Sequence, residues 1–259
     1  MDGNTVIEKA RPYNGLKVSA PRIGCWRAHA DVWRRLLDAP YSTALILEDD
    51  IDWDVKIHDI MALVSKNMKT AVSSAMGPSS PTTSSGPYYH EYWDTLWFGA
   101  CLSEVPDDVQ KTLTVYRDPY APVDEGLRTY DRDYFKKLQI DYPTSGPGMR
   151  AIHHAKRPIC TYGYAVSRKG AERLLYNVGY RGLNSAVDLV ISDNVNAGRL
   201  TGMMVWPPVF TSWRVGGSKD SDISGAPGKD TGNLQGRSFS LKNSARKAMI
   251  KEFEEPRRW

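Results

Sequence analysis

Cysteine is scarce in this chain: three residues in 259, Cys25, Cys101 and Cys160, with no CxxC spacing. That scarcity opposes a disulfide-dense scaffold and a structural zinc site, and leaves room for one bridge at most. No N-terminal apolar run reaches signal or transmembrane length, and no N-x-S/T sequon occurs. As written, the chain therefore reads as cytosolic, and as a secretory-pathway protein only if an anchoring segment precedes Met1. An excess of one charge is missing too. Thirty-four Lys and Arg against 30 Asp and Glu leave +4, too mild to call for nucleic acid or an anionic membrane. No internal repeat is present. The 41% apolar and 25% charged content suits one soluble globular domain.

Eight Trp and fourteen Tyr suit sugar faces and large cores alike, and the core is the simpler use. Residues 1–20 show no periodicity and read as an irregular arm. From Trp26 a helical pattern sets in, with Val32, Trp33, Leu36 and Leu37 on one face and Pro40 as its stop. The apolar run Ala44-Leu45-Ile46-Leu47 predicts a buried strand. Ile57, Ile60, Met61, Val64 and Met68 recur at helical spacing. Residues 73–87 form a low-complexity loop, and 117–150, rich in Pro, Gly, Asp and Tyr, read as a long excursion. Strands are expected over Tyr92–Gly99, Thr161–Val166 and Met203–Trp206. Helices are expected after a Ser167 cap and over Val187–Val195. Alternating strands and helices point to a single α/β domain over 21–224, with a basic tail from 225 to 259.

The first strand runs into Glu48-Asp49-Asp50. Adjacent carboxylates repel unless a cation or solvent offsets them. On extended backbone Glu48 and Asp50 would share one side, roughly 6.5–7 Å apart. They could then hold a hard divalent ion that also binds phosphate oxygens. Ligands of open α/β sheets gather at such carboxyl ends. The plainer reading is a solvated turn that Asp52 and Asp54 merely extend. An aspartyl phosphatase would need D-x-D-x-T/S, whereas the chain has E-D-D-I-D with no hydroxyl at the matching place.

Several blocks recur in a recognisable order. They are Gly24-Cys25-Trp26-Arg27-Ala28-His29, Leu47-Glu48-Asp49-Asp50, Trp93-Asp94-Thr95-Leu96-Trp97-Phe98-Gly99, and Thr161 through Ala171. Asp188–Ile191, Pro207-Pro208 and Ser221-Asp222-Ile223 follow. In this order they resemble glycosyltransferase family 25, most nearly its fungal branch. Ala28 stands where the family usually has Ser, and nothing in residues 1–20 matches the family's first, nucleotide-holding strand.

The resemblance implies a GT-A-like mixed sheet flanked by helices. It implies inverting transfer of a sugar, galactose by expectation, from a nucleotide-diphosphate donor such as a UDP-sugar to a hydroxyl on a glycan or protein. It also implies Mn2+ or Mg2+ as cofactor, with Asp50, Glu48 and Asp222 as expected metal ligands. Glu48, Asp49 and His29 are expected on the donor side. Asp188 is the candidate base, since its apolar neighbours would desolvate it. Each has a blander counterpart: Asp222 an exposed loop acid, Asp188 a helix-start Asp stabilised by the dipole, His29 a structural side chain. His153-His154 is placed in a loop, and Arg168 and Lys169 at an exposed helix start. The alternative function is a catalytically impaired carbohydrate-binding or regulatory paralogue.

Overall fold

The computed structural model describes residues 19–76, 87–180, 185–214 and 238–254. In chain order its strands are β1 (Thr43–Leu47), β2 (Ile51–Trp53), β3 (Thr95–Gly99), β4 (Leu102–Glu104) and β5 (Thr114–Asp118). Then come β6 (Gly148–His154), β7 (Lys156–Ile159), β8 (Gly163–Ser167), β9 (Gly202–Trp206) and β10 (Phe210–Ser212). The α-helices are α1 (Ala20–Asp38), α2 (Ile57–Met76), α3 (Thr129–Lys137), α4 (Arg168–Leu174), α5 (Val187–Asn196) and α6 (Ala245–Glu254). Six strands join in the order β1-β8-β3-β9-β6-β5. Only β3 and β9 run parallel; the other neighbours are antiparallel. The result is a mixed sheet flanked by helices, as expected.

Two-residue alternation builds the layers. Trp97, Tyr164, Val166, Met204 and Trp206 face Trp33 and Leu36 of α1, Leu174 of α4 and Ile191 of α5. Leu96, Phe98, Ala165, Met203 and Val205 face Ile60, Val64 and Met68 of α2. Each of the larger side chains fully buried this way contributes roughly 1.5–3 kcal/mol. Pro21 opens α1, where its missing N–H costs nothing. Ser167 caps α4 by accepting from the Gly170 N–H at 3.0 Å. Gly198, at φ +67°, follows α5, a left-handed stop that suits glycine.

Residues 73–76, expected in the low-complexity loop, form the last turn of α2, and 77–86 lie outside the described residues. The structure corrects three further expectations. First, β1 is an edge strand, with Leu45 45% and Leu47 42% exposed. Its Ile46 faces α1, while Thr43 and Leu45 line a 180 Å³ apolar cavity beside Met61 of α2. A run of four apolar residues does not reveal whether both faces are covered. Second, 117–150 is not one long excursion. It holds the end of β5, helix α3 and strand β6, with Tyr134, Phe135 and Leu138 inward. Third, His153 and His154 lie in β6 and not in a loop. His153 pairs with the Tyr134 hydroxyl and His154 with that of Tyr92, so they contact different neighbours.

The apolar side of the sheet contains one polar knot. The Tyr164 hydroxyl accepts from Trp33 Nε1 at 2.9 Å and sits 2.9 Å from His29 Nδ1. All three residues are buried. Tyr164→Phe would leave a buried indole N–H without its acceptor and should cost about 1–3 kcal/mol. Urea unfolding monitored by Trp fluorescence checks this; a loss below about 0.5 kcal/mol would contradict it.

Candidate active site

At the carboxyl end of β1 the chain leaves the main sheet. Glu48 follows the strand directly, Asp49-Asp50 form a turn, and β2 then pairs with β10 instead. Glu48 and Asp50 therefore do not stand on one extended strand, which corrects the sequence-based geometry. The turn brings them together differently. Antiparallel register sets Ser212 opposite Ile51, and the Trp213 N–H donates to the Asp50 carbonyl at 2.7 Å. This carries Arg214 to the Asp50 carboxylate, Nη1 to Oδ2 at 2.7 Å.

A 270 Å³ cavity opens here. It is lined by Arg22 and Cys25 of α1, Glu48, Cys160 to Tyr162 before β8, Ala186 to Asp188 at the start of α5, and Arg214. Thr161 Oγ1 donates to Glu48 Oε1 at 2.5 Å. The Cys160 N–H donates to Asp188 Oδ2 at 3.1 Å. Cys160 is itself bonded to Cys101, the single bridge that three cysteines permit. That bridge ties the segment before β8 to the end of β3. Glycine is required where these strands converge: a Cβ on Gly99 would lie 2.5 Å from the Phe210 carbonyl oxygen.

The electrostatics are those of a sheltered acidic pocket. Burial holds the Glu48 carboxyl above its ordinary range. The Thr161 hydrogen bond pulls it back, the charges of Asp50 and Asp188 push it up, and Arg214 opposes them. Burial first, then the same Glu48 and Asp188 charges, push the Cys25 thiol up to about 11. Cys25 is therefore a neutral wall residue and not a nucleophile.

The other sequence candidates divide clearly. Asp188 sits in the first turn of α5, as the plainer reading has it, and also lines the cavity with Glu48. Asp49 is exposed, and its carbonyl accepts from Arg246 Nη2 at 2.7 Å. His29 is buried against Tyr164, outside the cavity lining, which fits its structural reading. Asp222 lies outside the described residues. Arg168 reaches the carbonyls of Leu36 and Ala39, where it caps the end of α1.

Asp52 and Asp54 are fully buried and do not extend a solvated turn. They hold the C-terminal stretch: Asp52 accepts from Ser244 and Arg246, and Asp54 from the Asn243 N–H. Sequence reasoning also missed Arg214, Thr161 and Arg22. Only β-sheet register could have found Arg214, because its partner lies more than 160 positions earlier in the chain.

Among the described residues, no group of three or more His, Cys, Asp or Glu side chains could hold a metal ion. Asp50 is engaged by Arg214. The described carboxylates therefore do not complete a cation site by themselves. A larger cleft of 480 Å³, lined by His154, Asp107, Asp108 and Lys156, opens at the opposite end of the sheet. The smaller cavity is the better candidate, because the acids converge there at strand ends.

Comparison with known proteins covers the first two of the ordered sequence blocks. The family model described as glycosyltransferase family 25 (LPS biosynthesis protein) matches residues 4–77. Procollagen galactosyltransferase 1 of Danio rerio is 20% identical over 165 residues, 63% of this chain. The matched stretch spans 18% of that relative's length. No solved structure matches.

Thr161→Val removes the hydrogen bond that favours the Glu48 carboxylate, so the Glu48 midpoint should rise further. Carboxyl-carbon NMR titration of wild type and variant checks this. An unchanged or lower midpoint would show that Thr161 does not tune Glu48.

Proposed function

We propose that this chain, whose residues 4–77 match the glycosyltransferase family 25 model, transfers a sugar from a nucleotide-diphosphate donor to an acceptor hydroxyl. The observation that carries this reading is the convergence of Glu48, Asp188 and Arg214 on one cavity at the carboxyl end of β1, with Asp50 against Arg214. The finer reading is a UDP-sugar donor, galactose as the sugar, and inversion at its anomeric carbon. The relative's printed name, procollagen galactosyltransferase 1, supports galactose.

The chemistry follows from the side chains. An acceptor hydroxyl oxygen attacks the anomeric carbon as the carbon–oxygen bond to the diphosphate breaks. The electron pair leaves with the diphosphate, and the hydroxyl proton passes to a carboxylate on the opposite side. Asp188 is our choice for that base. The Cys160 N–H fixes one of its oxygens, leaving the other for the proton. Glu48 lines the donor side, and Asp50 stands behind Arg214. The cofactor this reading calls for is Mn2+ or Mg2+, which would neutralise the leaving diphosphate when bound. Asp50 and Glu48 are the described residues that would hold it, with Asp222 the candidate third.

No helix among the described residues is long and apolar enough to cross a membrane. The partners the reading implies are a sugar donor and an acceptor glycan or protein.

The test is hydrolysis and transfer assayed across UDP-sugars, with and without manganese. UDP-galactose should be turned over by the wild type, and Asp50→Ala should lose at least about tenfold. Asp188→Asn should lower transfer by about 10²–10⁴-fold with donor affinity kept. Turnover by Asp50→Ala equal to wild type would sink the donor-site assignment. Donor binding without turnover by the wild type would favour the impaired paralogue.

A further inference from the structure

Arg214 is an odd neighbour for a cavity expected to receive a cation. Its Nη1 lies 2.7 Å from Asp50 Oδ2, yet that buried nitrogen makes no aligned hydrogen bond with any described residue. The contact is one of charge and proximity, and the distance alone would overstate it. A guanidinium has five N–H donors in a planar fork that matches phosphate oxygens. Here that fork lines the cavity, with Nη1 beside Asp50 among the described residues.

Two other features of the same wall favour an anion. Arg22 of α1 lines the cavity, and so do Ala186 and Val187 at the start of α5. The first N–H groups of a helix carry partial positive charge. Two carboxylates, Glu48 and Asp188, line the same cavity, and a third, Asp50, stands against Arg214. A diphosphate entering between these walls would be repelled by the acids unless a fixed positive group met it.

The geometry points to Arg214 as a diphosphate-binding residue of the donor site, resting on the donor reading above. In the empty cavity Arg214 balances Asp50. When a nucleoside diphosphate enters, the free edge of the guanidinium takes phosphate oxygens and Asp50 keeps the group aimed. Arg214 thus holds negative charge that grows as the leaving group departs. No bond to Arg214 forms or breaks.

The experiment is a binding cycle by calorimetry, using UDP and uridine as probes, in EDTA and again with manganese. Wild type, Arg214→Gln, Asp50→Asn and the double variant are compared, with thermal melts to confirm folding. Arg214→Gln should weaken UDP by roughly 10- to 100-fold and leave uridine unchanged. The loss should persist when Arg214→Gln is introduced into the Asp50→Asn background. Direct contact predicts this, whereas mere neutralisation of Asp50 predicts that the loss vanishes.

Equal weakening of UDP and uridine would make Arg214 structural and overturn the assignment. So would a loss that disappears in the double variant. If Arg214→Gln does not fold, Arg214→Lys takes its place and should bind UDP more weakly than wild type, with uridine again unaffected. Failure of the wild type to bind UDP under either condition would overturn the donor reading, and this assignment with it. Normal UDP binding by the Arg214 variants would overturn the assignment alone.

Discussion

Five acids fall within seven residues, from Glu48 to Asp54, directly after a strand of the main sheet. Like charges this dense must each find a partner or reach water. The fold is organised around meeting that demand. The two fully buried members, Asp52 and Asp54, recruit Ser244, Arg246 and the backbone of Asn243, which folds the C-terminal stretch onto β2. Asp49 stays exposed. Asp50 takes Arg214, and Glu48 takes the Thr161 hydroxyl. The acids thus split into a structural pair and a pair left at the cavity wall.

That split explains where the chemistry can happen. Partners on backbone amides and a packed helix are permanent, so Asp52 and Asp54 serve stability. The partners of Glu48 and Asp50 sit on the cavity wall, where an incoming ligand can share them. The turn at Asp49-Asp50 sets this up by ending the extended backbone and sending β2 away to β10. The same register that pairs Ser212 with Ile51 delivers Arg214. Across the cavity, the Cys101–Cys160 bridge fixes the segment whose N–H orients Asp188. The donor and base sides proposed above are therefore held by different parts of the fold.

Much of this was legible in the residues, for physical reasons. The periodicities around Trp33, Ile60 and Val190 are strong because each helix buries one stripe, and those helices form. The Ser167 cap and the stop at Gly198 depend on local chemistry and were readable locally. The ordered blocks located Glu48, Asp50 and Asp188, and the structure gathers all three in one place. What escaped was non-local. Exposure of Leu45 and Leu47 depends on which strand lies at the edge. The Arg214–Asp50 contact depends on pairing across most of the chain. Helix α3 was hidden by flanking prolines and glycines, although Tyr134 and Phe135 bury it firmly. His29 is the reverse case: a family block placed it on the donor side, and the fold buries it against Tyr164.

On the reading proposed above, a nucleotide-sugar donor occupies the cavity walled by Glu48, Asp188 and Arg214. A crystal structure of the protein with UDP tests it most directly. The account predicts density for the diphosphate between Arg214 and the start of α5, within hydrogen-bond reach of the guanidinium and on the Asp50 side. Density in the cleft beside His154 and Lys156, or no bound nucleotide at saturating concentration, would contradict it.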